Sequence, residues 1–361
     1  MSPRFPLRRG AARTAVLFAA VSSLALTSAG PAAAARSSAD VLLDGLSSPK
    51  GITIAPNQNP VVAQGAFGPP GPVLEYLLRG KHRGTTQALS DDAALNDVAA
   101  TPDGSGWAIT SDEPRFLLHV SPDGVVTAPL DITAYQAAHP DPNDQEGHPE
   151  ESNPYGLAAL SNGDALISDA AHNNLLRVTK GGAVTIVAWF LPEMISTDHL
   201  PGFPEPELNA EAVPTTVTIG RDGAAYVGEL KGFPFRPGSS RIWRVNPAAT
   251  GATCSADGSS GGCTQFASGF TAIQDIAFNR NNATMYVYEL AADGVLAFEE
   301  GFEPGGEFPA AVLLEVKKKG KTTELAEGQL SQPGGVAVAR NGSVFVTDNV
   351  FTGGRMLRVK G

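Results

Sequence analysis

Charged residues are scarce in this chain of 361 residues, and those present are mainly acidic. Asp, Glu, Lys and Arg make up 17% of the residues, with 37 acidic against 26 basic side chains and a net charge of −11. A chain in which acidic side chains outnumber basic ones has little to offer a phosphate backbone, so no nucleic-acid partner is expected. The 42% of hydrophobic residues argues against a disordered chain.

Cysteine is almost absent, and the only two are Cys254 and Cys263. The pair lacks the spacing of a CxxC motif, so neither redox nor zinc chemistry is expected of these thiols. In an exported protein, two cysteines around a Gly- and Ser-rich loop predict a structural disulfide. No H-E-x-x-H and no P-loop sequence is present, which leaves a zinc protease or a P-loop enzyme without support.

After the N-terminus the chain also lacks any apolar run of about 18 residues, so no transmembrane segment is expected in the mature chain. The first residues are typical of a signal peptide: four arginines precede an apolar run over 15–26, and Ala33 and Ala35 suit cleavage. We expect residues 1–35 to be a cleaved signal peptide, with general secretion favoured over the twin-arginine route. A secreted monomer with 22 basic and 37 acidic side chains, net charge −15, is then expected.

Glycine and proline are abundant, with 40 and 28 residues, and they separate short apolar segments of one recurring pattern. Each unit has a turn-forming start, an apolar strand, a polar turn, a second strand and an acidic or amide residue. The six units cover 49–64, 95–112, 154–169, 214–229, 273–289 and 333–348. Their anchor residues Gly51, Asp97, Gly156, Thr216, Asp275 and Gly335 are 46, 59, 60, 59 and 60 residues apart. This repeat predicts a β-propeller of six blades.

The pattern also indicates how the ring closes. The C-terminal segment 355–361 resembles a third strand with no fourth strand after it, and 39–51 has the pattern of an outer strand. The mature N-terminus is therefore predicted to supply the outer strand of the last blade, which removes an open sheet edge. The expected fold class is all-β, a single six-bladed β-propeller domain over 36–361 closed by the mature N-terminal strand.

Long and short connections alternate along the repeats, which places the long loops on one face of the propeller. Long, irregular loops on a rigid scaffold are where binding usually resides. In the loop 230–240, the residues Lys231, Phe233, Phe235 and Arg236 combine aromatic rings with positive charge and form a candidate contact patch. The expected partner is a small molecule or protein of unknown identity. The alternative is packing of this loop against the neighbouring blade.

Acidic and amide side chains recur at two positions of the repeat. Those that end the second strands are expected to accept backbone N–H bonds at the turns. These residues are Gln64, Asp112, Asp169, Glu229, Glu289 and Asp348. Those near the start of the first strands lie closer to the axis, where oxygen atoms from several blades suit Ca²⁺. Glu151, Asn153 and Asp275 are the candidate ligands of a channel Ca²⁺, and the alternative is solvated channel polarity.

Several segments resemble known propellers. The segment SDAAHNNLLRV (168–178) is similar to the NHL repeat, in which a strand ending in Asp is followed by Asn and an Arg-hydrophobic pair. ESNPYGLAAL (151–160), the segment 211–245 with its VGELKGFPF motif, and QPGGVAVARNGSVFVTD (332–348) resemble the ScyD/ScyE family of exported propellers. The resemblance spans essentially the mature chain. It implies a six-bladed propeller and an exported location, and it carries no catalytic residues.

Two enzyme families of similar architecture are less well matched. Gluconolactonase-like propellers hold a divalent cation with a Glu of the first blade, where this chain has Ser48-Pro49-Lys50-Gly51. The histidine motif of the streptogramin-lyase type has no match. The expected function is therefore a binding scaffold that uses its long-loop face. A metal-dependent hydrolase or lyase of the lactonase-like class is the alternative.

Overall fold

The computed structural model describes residues 37–318 and 320–360, so the signal peptide predicted over 1–35 lies outside the described residues. Each of the six repeat units forms a sheet of its own. Each of these six blades contains four antiparallel strands, and the innermost strand of each blade contacts the innermost strands of its two neighbours in a closed ring. The predicted six-bladed β-propeller is confirmed.

Within each blade the strands follow one another from the axis outward, except that the N-terminal strand is the outermost strand of blade six. Blade one contains Ile52–Ile54, Pro60–Val62, Leu74–Tyr76 and Thr86–Ala88. Blade two contains Leu95–Ala100, Gly106–Thr110, Phe116–Val120 and Val126–Asp131, and blade three Pro154–Ala159, Ala165–Asp169, Asn174–Val178 and Val184–Phe190. Blade four contains Pro214–Ile219, Ala225–Glu229, Ser240–Val245 and Cys263–Phe270. Blade five contains Ile273–Phe278, Thr284–Glu289, Val312–Lys317 and Thr322–Leu325, and blade six Val336–Val338, Val344–Asp348, Gly354–Lys360 and Ser38–Leu46.

The last blade closes as predicted. The strand Ser38–Leu46 runs antiparallel to Gly354–Lys360, with Ser38 opposite Lys360 and Leu46 opposite Gly354. Leu46 is buried against Phe345 and Met356 of the same blade, in a cluster that also includes residues of blade one. The N-terminal strand therefore adds both backbone pairing and apolar burial to the closing blade.

The predicted disulfide between Cys254 and Cys263 is confirmed, with the two Cα atoms 5.4 Å apart. Its surroundings differ from the prediction. The short strand Ala252–Cys254 pairs in parallel with Val184–Phe190 and adds a fifth strand to blade three. Because Cys263 begins the outer strand of blade four, the disulfide joins two blades rather than only closing a loop.

The long loops carry additional short elements. Between blades two and three, helix α1 (Ile132–Ala137) begins after Asp131, whose carboxylate accepts a hydrogen bond from the N–H of Ala134. Between blades three and four, Glu193–Ser196 and Glu207–Ala210 form a β-hairpin, which we call the insert hairpin. Within blade five, helix α2 (Gly294–Glu299) continues into a 3₁₀ turn over Glu300–Phe302. None of the helices in the described part of the chain has the length and apolarity needed to cross a bilayer.

The acceptors that end the second strands behave as predicted in four blades. Each accepts a hydrogen bond from a backbone N–H of the segment that leads into the first strand of its own blade. The pairs are Gln64 with Ser47, Asp169 with Asn153, Glu289 with Thr271, and Asp348 with Ser331. These bonds fix where the chain turns from the long-loop face into the inner strand. Asp112 lies near the surface, and Glu229 pairs instead with the ammonium of Lys231.

The closing strand allows a matched test of the fold. Leu46→Ala should lower the free energy of unfolding by about 2–5 kcal/mol, because it leaves a cavity in the closing blade. Val41→Ala on the same strand should change it by less than about 0.5 kcal/mol, since Val41 is exposed. Urea denaturation of both variants would check this, and an effect of Leu46→Ala as small as that expected for Val41→Ala would contradict a structural role for the closing strand.

Candidate functional site: an axial polar cluster and an apolar groove

Glycines allow the inner strands to approach one another at the axis. A Cβ atom on Gly51 would lie 2.7 Å from the Cα of Asp97, and one on Gly156 would lie 2.6 Å from the Cα of Thr216. Real Cβ atoms do not make such contacts, so a side chain at either position would push neighbouring blades apart. The anchor residues found in the repeat therefore mark the points of closest packing around the axis.

Lys50 crosses this crowded axis. It precedes the first strand of blade one, yet its ammonium donates a hydrogen bond of 2.5 Å to the carbonyl oxygen of Tyr155 in blade three. The same ammonium lies 3.7 Å from the centroid of the Tyr155 ring, which is a cation–π contact. From blade five, the amide of Gln274 donates a hydrogen bond of 2.6 Å to the Tyr155 hydroxyl. Three blades are thus joined across the axis by polar side chains.

Two carboxylates lie beside this cluster and bind backbone donors of adjacent blades. Asp97 of blade two accepts hydrogen bonds from the N–H of Val98 and, at 2.8 Å, from the N–H of Leu157 in blade three. Asp275 of blade five accepts from the hydroxyl of Thr216 in blade four and, at 2.7 Å, from the N–H of Val336 in blade six. Each carboxylate therefore connects neighbouring inner strands.

Burial perturbs the ionisation of this axial cluster. It raises the pKa of Asp97 to about 7, an effect that the charge of Lys50 opposes and that of Asp275 increases. Burial likewise raises the pKa of Asp275, and it raises the pKa of Tyr155 to about 12. The pKa of the Lys50 ammonium is lowered by burial, against the attraction of both carboxylates. Asp97 can therefore exchange a proton near neutral pH.

An apolar groove opens on the long-loop face between blades four and five. It has a volume of about 430 Å³ and is lined by Leu200, Pro201, Gly202, Phe203, Pro204, Phe233 and Leu296. The tip of the insert hairpin supplies five of these residues, the loop 230–240 supplies Phe233, and helix α2 supplies Leu296. The rings of Phe203 and Phe233 have centroids 5.5 Å apart across it.

Buried ion pairs hold one wall of the groove. The Lys231 side chain is only 1% exposed, and its ammonium lies 3.0 Å from Glu229 and 3.3 Å from Glu193 of the insert hairpin. Arg241 also pairs with Glu193, and the indole N–H of Trp243 donates to Glu229. Lys231 therefore attaches the hairpin to blade four and does not present its charge at the surface.

Of the other residues predicted for the contact patch, Phe233 lines the groove and is exposed. Phe235 packs into the cluster formed with Leu290, Val295 and Phe298. Arg236 pairs with Asp198 of the insert hairpin and donates to the carbonyl of Ser196. Of the four predicted residues, only Phe233 lines the groove, whereas Lys231 and Arg236 pair with acidic residues of the insert hairpin and Phe235 is packed beneath the loop. The apolar lining from the hairpin tip was missed, although LPGFP in 200–204 is an apolar, turn-rich segment.

The residues proposed for a channel Ca²⁺ lie in different settings. Asp275 belongs to the axial cluster. Glu151 is exposed, and its carbonyl oxygen contacts the ring of the buried His172. The N–H of Asn153 donates to Asp169. In the described ranges, no group of three or more His, Cys, Asp and Glu side chains is arranged to hold a metal ion. The metal site remains a prediction.

Comparison with known proteins identifies the architecture. No family model matches the chain, and no curated protein sequence does. A solved glucose dehydrogenase superposes with a TM-score of 0.55 at 13% identity, covering 90% of this chain and 99% of its own. The PQQ-bound aldose sugar dehydrogenase from Streptomyces coelicolor gives 0.52 at 13% identity, covering 91% and 100%. A streptogramin B lyase gives 0.49 at 14% identity, covering 90% and 97%. For the two dehydrogenases, identity this low shows the propeller fold and carries over neither their substrate nor their cofactor.

The pKa of Asp97 gives a testable dependence of stability on pH. The folded carboxyl keeps its proton up to about pH 7, whereas the ordinary value for the unfolded chain is 3.8. The stability contributed by Asp97 is therefore fully present below pH 3.8 and is lost as the pH rises to about 7. Asp97→Asn should remove this loss, so that the free energy of unfolding of the variant changes less with pH between 3.8 and about 7. Burial also raises the pKa of Glu289 to about 7, but Glu289 is present in the unmodified protein and in the variant and affects both equally. Urea denaturation at several pH values measures this. If the free energies of unfolding of the unmodified protein and of Asp97→Asn change in parallel over this pH range, the raised pKa of Asp97 is refuted.

Proposed function

We propose that this protein is a binding protein that holds a small apolar molecule in the groove of its long-loop face. The observation that carries the proposal is the groove itself, a shallow depression open to solvent, with a volume of about 430 Å³ and an apolar lining. The aromatic rings of Phe203 and Phe233 supply its largest contact area.

The contacts around the groove support binding by a preformed site. The insert hairpin is attached to the loop 230–240 at three points: Lys231 with Glu193, Arg236 with Asp198, and the His199 ring with the carbonyl of Pro234. Because these contacts already order the loops, a ligand would not have to order them on binding. Apolar groups would then be the main source of affinity, since the cations nearby are paired.

Export and family membership belong to the same proposal. The basic, apolar and small-residue order of 1–35 supports a signal peptide, and a disulfide is typical of an oxidising compartment. The resemblance of 211–245 to the ScyD/ScyE family supports an exported propeller of that type. The part of this segment that distinguishes the family, VGELKGFPF, contains the residues that hold and line the groove wall.

Replacing the exposed ring of the groove tests the proposal. Phe233→Ala should weaken binding of the neutral apolar dye Nile red about tenfold, which corresponds to the loss of about 1.4 kcal/mol of apolar contact. Phe266→Ala is the matched control, because Phe266 is similarly exposed on the outer strand of blade four and lies outside the groove. Fluorescence titration of both variants measures this. Equal affinities for the two variants would exclude the groove as the binding site.

A metal-dependent hydrolase or lyase at the axis is the second candidate. The observation that favours it is the Asp97 carboxyl, which burial brings to a pKa of about 7, close to Asp275 and partly open to solvent. The ammonium of Lys50 already balances these carboxylates and would oppose a divalent cation at the same place. Catalysis at the axis would have to accommodate that positive charge.

Thermal unfolding with Ca²⁺, Mg²⁺ or Mn²⁺ distinguishes this candidate. A resident cation should raise the melting temperature, because it binds only the folded ring, and Asp275→Asn should abolish the increment. Asp348→Asn is the control: it should lower stability with and without metal, since Asp348 accepts backbone bonds at the end of a second strand. If no cation changes melting and elemental analysis finds no stoichiometric metal, the metal-dependent candidate fails and the binding proposal is unaffected.

A further inference from the structure

A second exposed apolar surface lies on the long-loop face, outside the groove. The rings of Phe67, Phe351, Phe302 and Phe308 form a row with successive centroids 4.9, 5.1 and 4.8 Å apart. We call this row the phenylalanine row. Its members come from the loops between the second and third strands of blades one, six and five. Three of the rings are substantially exposed: Phe302 by 58%, Phe67 by 44% and Phe351 by 38%. A contiguous exposed aromatic patch of this kind is typical of an interaction surface.

The row is held in place by buried polar side chains. The N–H of Phe67 donates a hydrogen bond of 3.0 Å to the hydroxyl of Ser48. The N–H of Phe351 donates one of 3.1 Å to the side-chain oxygen of Gln332. Both acceptors are buried. From below, Phe298 supports Phe308 and Phe302 with ring centroids 5.0 and 5.8 Å away. A partner would therefore meet rings that are already ordered, which lowers the entropic cost of binding.

Charge around the row has one sign. The segment 290–310, which carries Phe302 and Phe308, contains Asp293, Glu299, Glu300, Glu303 and Glu307 and no Lys or Arg. Four of these acids are exposed, and none of the five forms an ion pair within the described residues. The parts of the other two loops near the rings, 65–73 and 349–353, carry no charged side chain. A basic partner is favoured by attraction, whereas a second copy of this chain would bring the same acids to the interface.

We propose that the phenylalanine row and its acidic border bind a polypeptide segment that carries both basic and apolar side chains. Arginine or lysine of the segment would lie over the exposed ring faces and near Glu303 and Glu307, and its apolar side chains would cover Phe302 and Phe351. The row is open rather than enclosed and spans loops of three blades, which suits an extended segment better than a compact small molecule. This site is separate from the apolar groove and does not depend on the function proposed for it.

The test uses the full mature protein and a fluorescein-labelled peptide of alternating arginine and tryptophan, with binding followed by fluorescence anisotropy. Phe302→Ala and Phe351→Ala should each weaken binding by about fivefold or more, as expected for central aromatic contacts. Glu303→Gln combined with Glu307→Gln should weaken binding at low salt and remove much of its salt dependence. A peptide with glutamate in place of arginine should not bind.

Two matched variants separate this site from the groove and from exposed rings elsewhere on the propeller. Phe266→Ala removes a ring that is 46% exposed on blade four and should leave peptide binding unchanged. Phe233→Ala should weaken Nile red binding and not peptide binding, so the two proposals can fail independently. Melting curves for Phe302→Ala should match those of the unmodified protein, because that ring is largely exposed.

Three outcomes would overturn the proposal. Unchanged peptide affinity in Phe302→Ala and Phe351→Ala would show that the row is not the site. Loss of affinity only in the protein with Glu303→Gln and Glu307→Gln, and not in the phenylalanine variants, would show that the interaction is unspecific charge attraction. Binding of the cationic detergent dodecyltrimethylammonium at the row, with no binding of the peptide, would assign the surface to a small amphiphile instead.

Discussion

Closure of the ring by the N-terminal strand is the constraint on which the rest of this structure depends. Ser38–Leu46 pairs with Gly354–Lys360, so the two ends of the domain form adjacent strands of one blade. In a propeller each blade packs only against its neighbours, and a last blade without its outer strand would leave Gly354–Lys360 as an exposed edge and the two ends of the domain unpaired. Once the ring is closed, the inner strands are held close enough that Gly51 and Gly156 cannot carry side chains. The axial cluster and the long-loop face both take their geometry from that spacing.

The crowded axis explains how charge is accommodated inside the ring. Two half-buried carboxylates, Asp97 and Asp275, accept hydrogen bonds from backbone N–H groups of neighbouring blades, and these bonds connect the inner strands. Burying two like charges together is unfavourable, and the Lys50 ammonium supplies the compensating charge from within the chain. Lys50 therefore places a positive charge at the axis beside these two carboxylates. Residues 48–51 thus supply a positive charge where the gluconolactonase-like motif would supply a Glu carboxylate.

Most of the fold could be predicted from the sequence, because the propeller repeats one local pattern six times. Turn residues and apolar strands recur in each unit, and the anchors from Asp97 to Gly335 are 59 or 60 residues apart. Closure follows from a missing strand at one end of the domain and a spare one at the other. The four turn acceptors were also predictable, since each bonds within its own blade. The fifth strand of blade three was not, because Ala252–Cys254 lies in the connection after the third strand of blade four and pairs with the preceding blade.

The candidate site shows the same division between local and distant contacts. The position of Phe233 on the long-loop face follows from strand alternation, whereas the burial of Lys231 depends on Glu193, which is 38 residues away in an insertion without a repeat equivalent. Sequence patterns report amphipathic strands and turns, but they do not report which irregular loop folds over another. A lysine beside two phenylalanines in a loop looks like a contact patch in sequence. In the folded chain the lysine secures the wall, and only the ring next to it meets the groove.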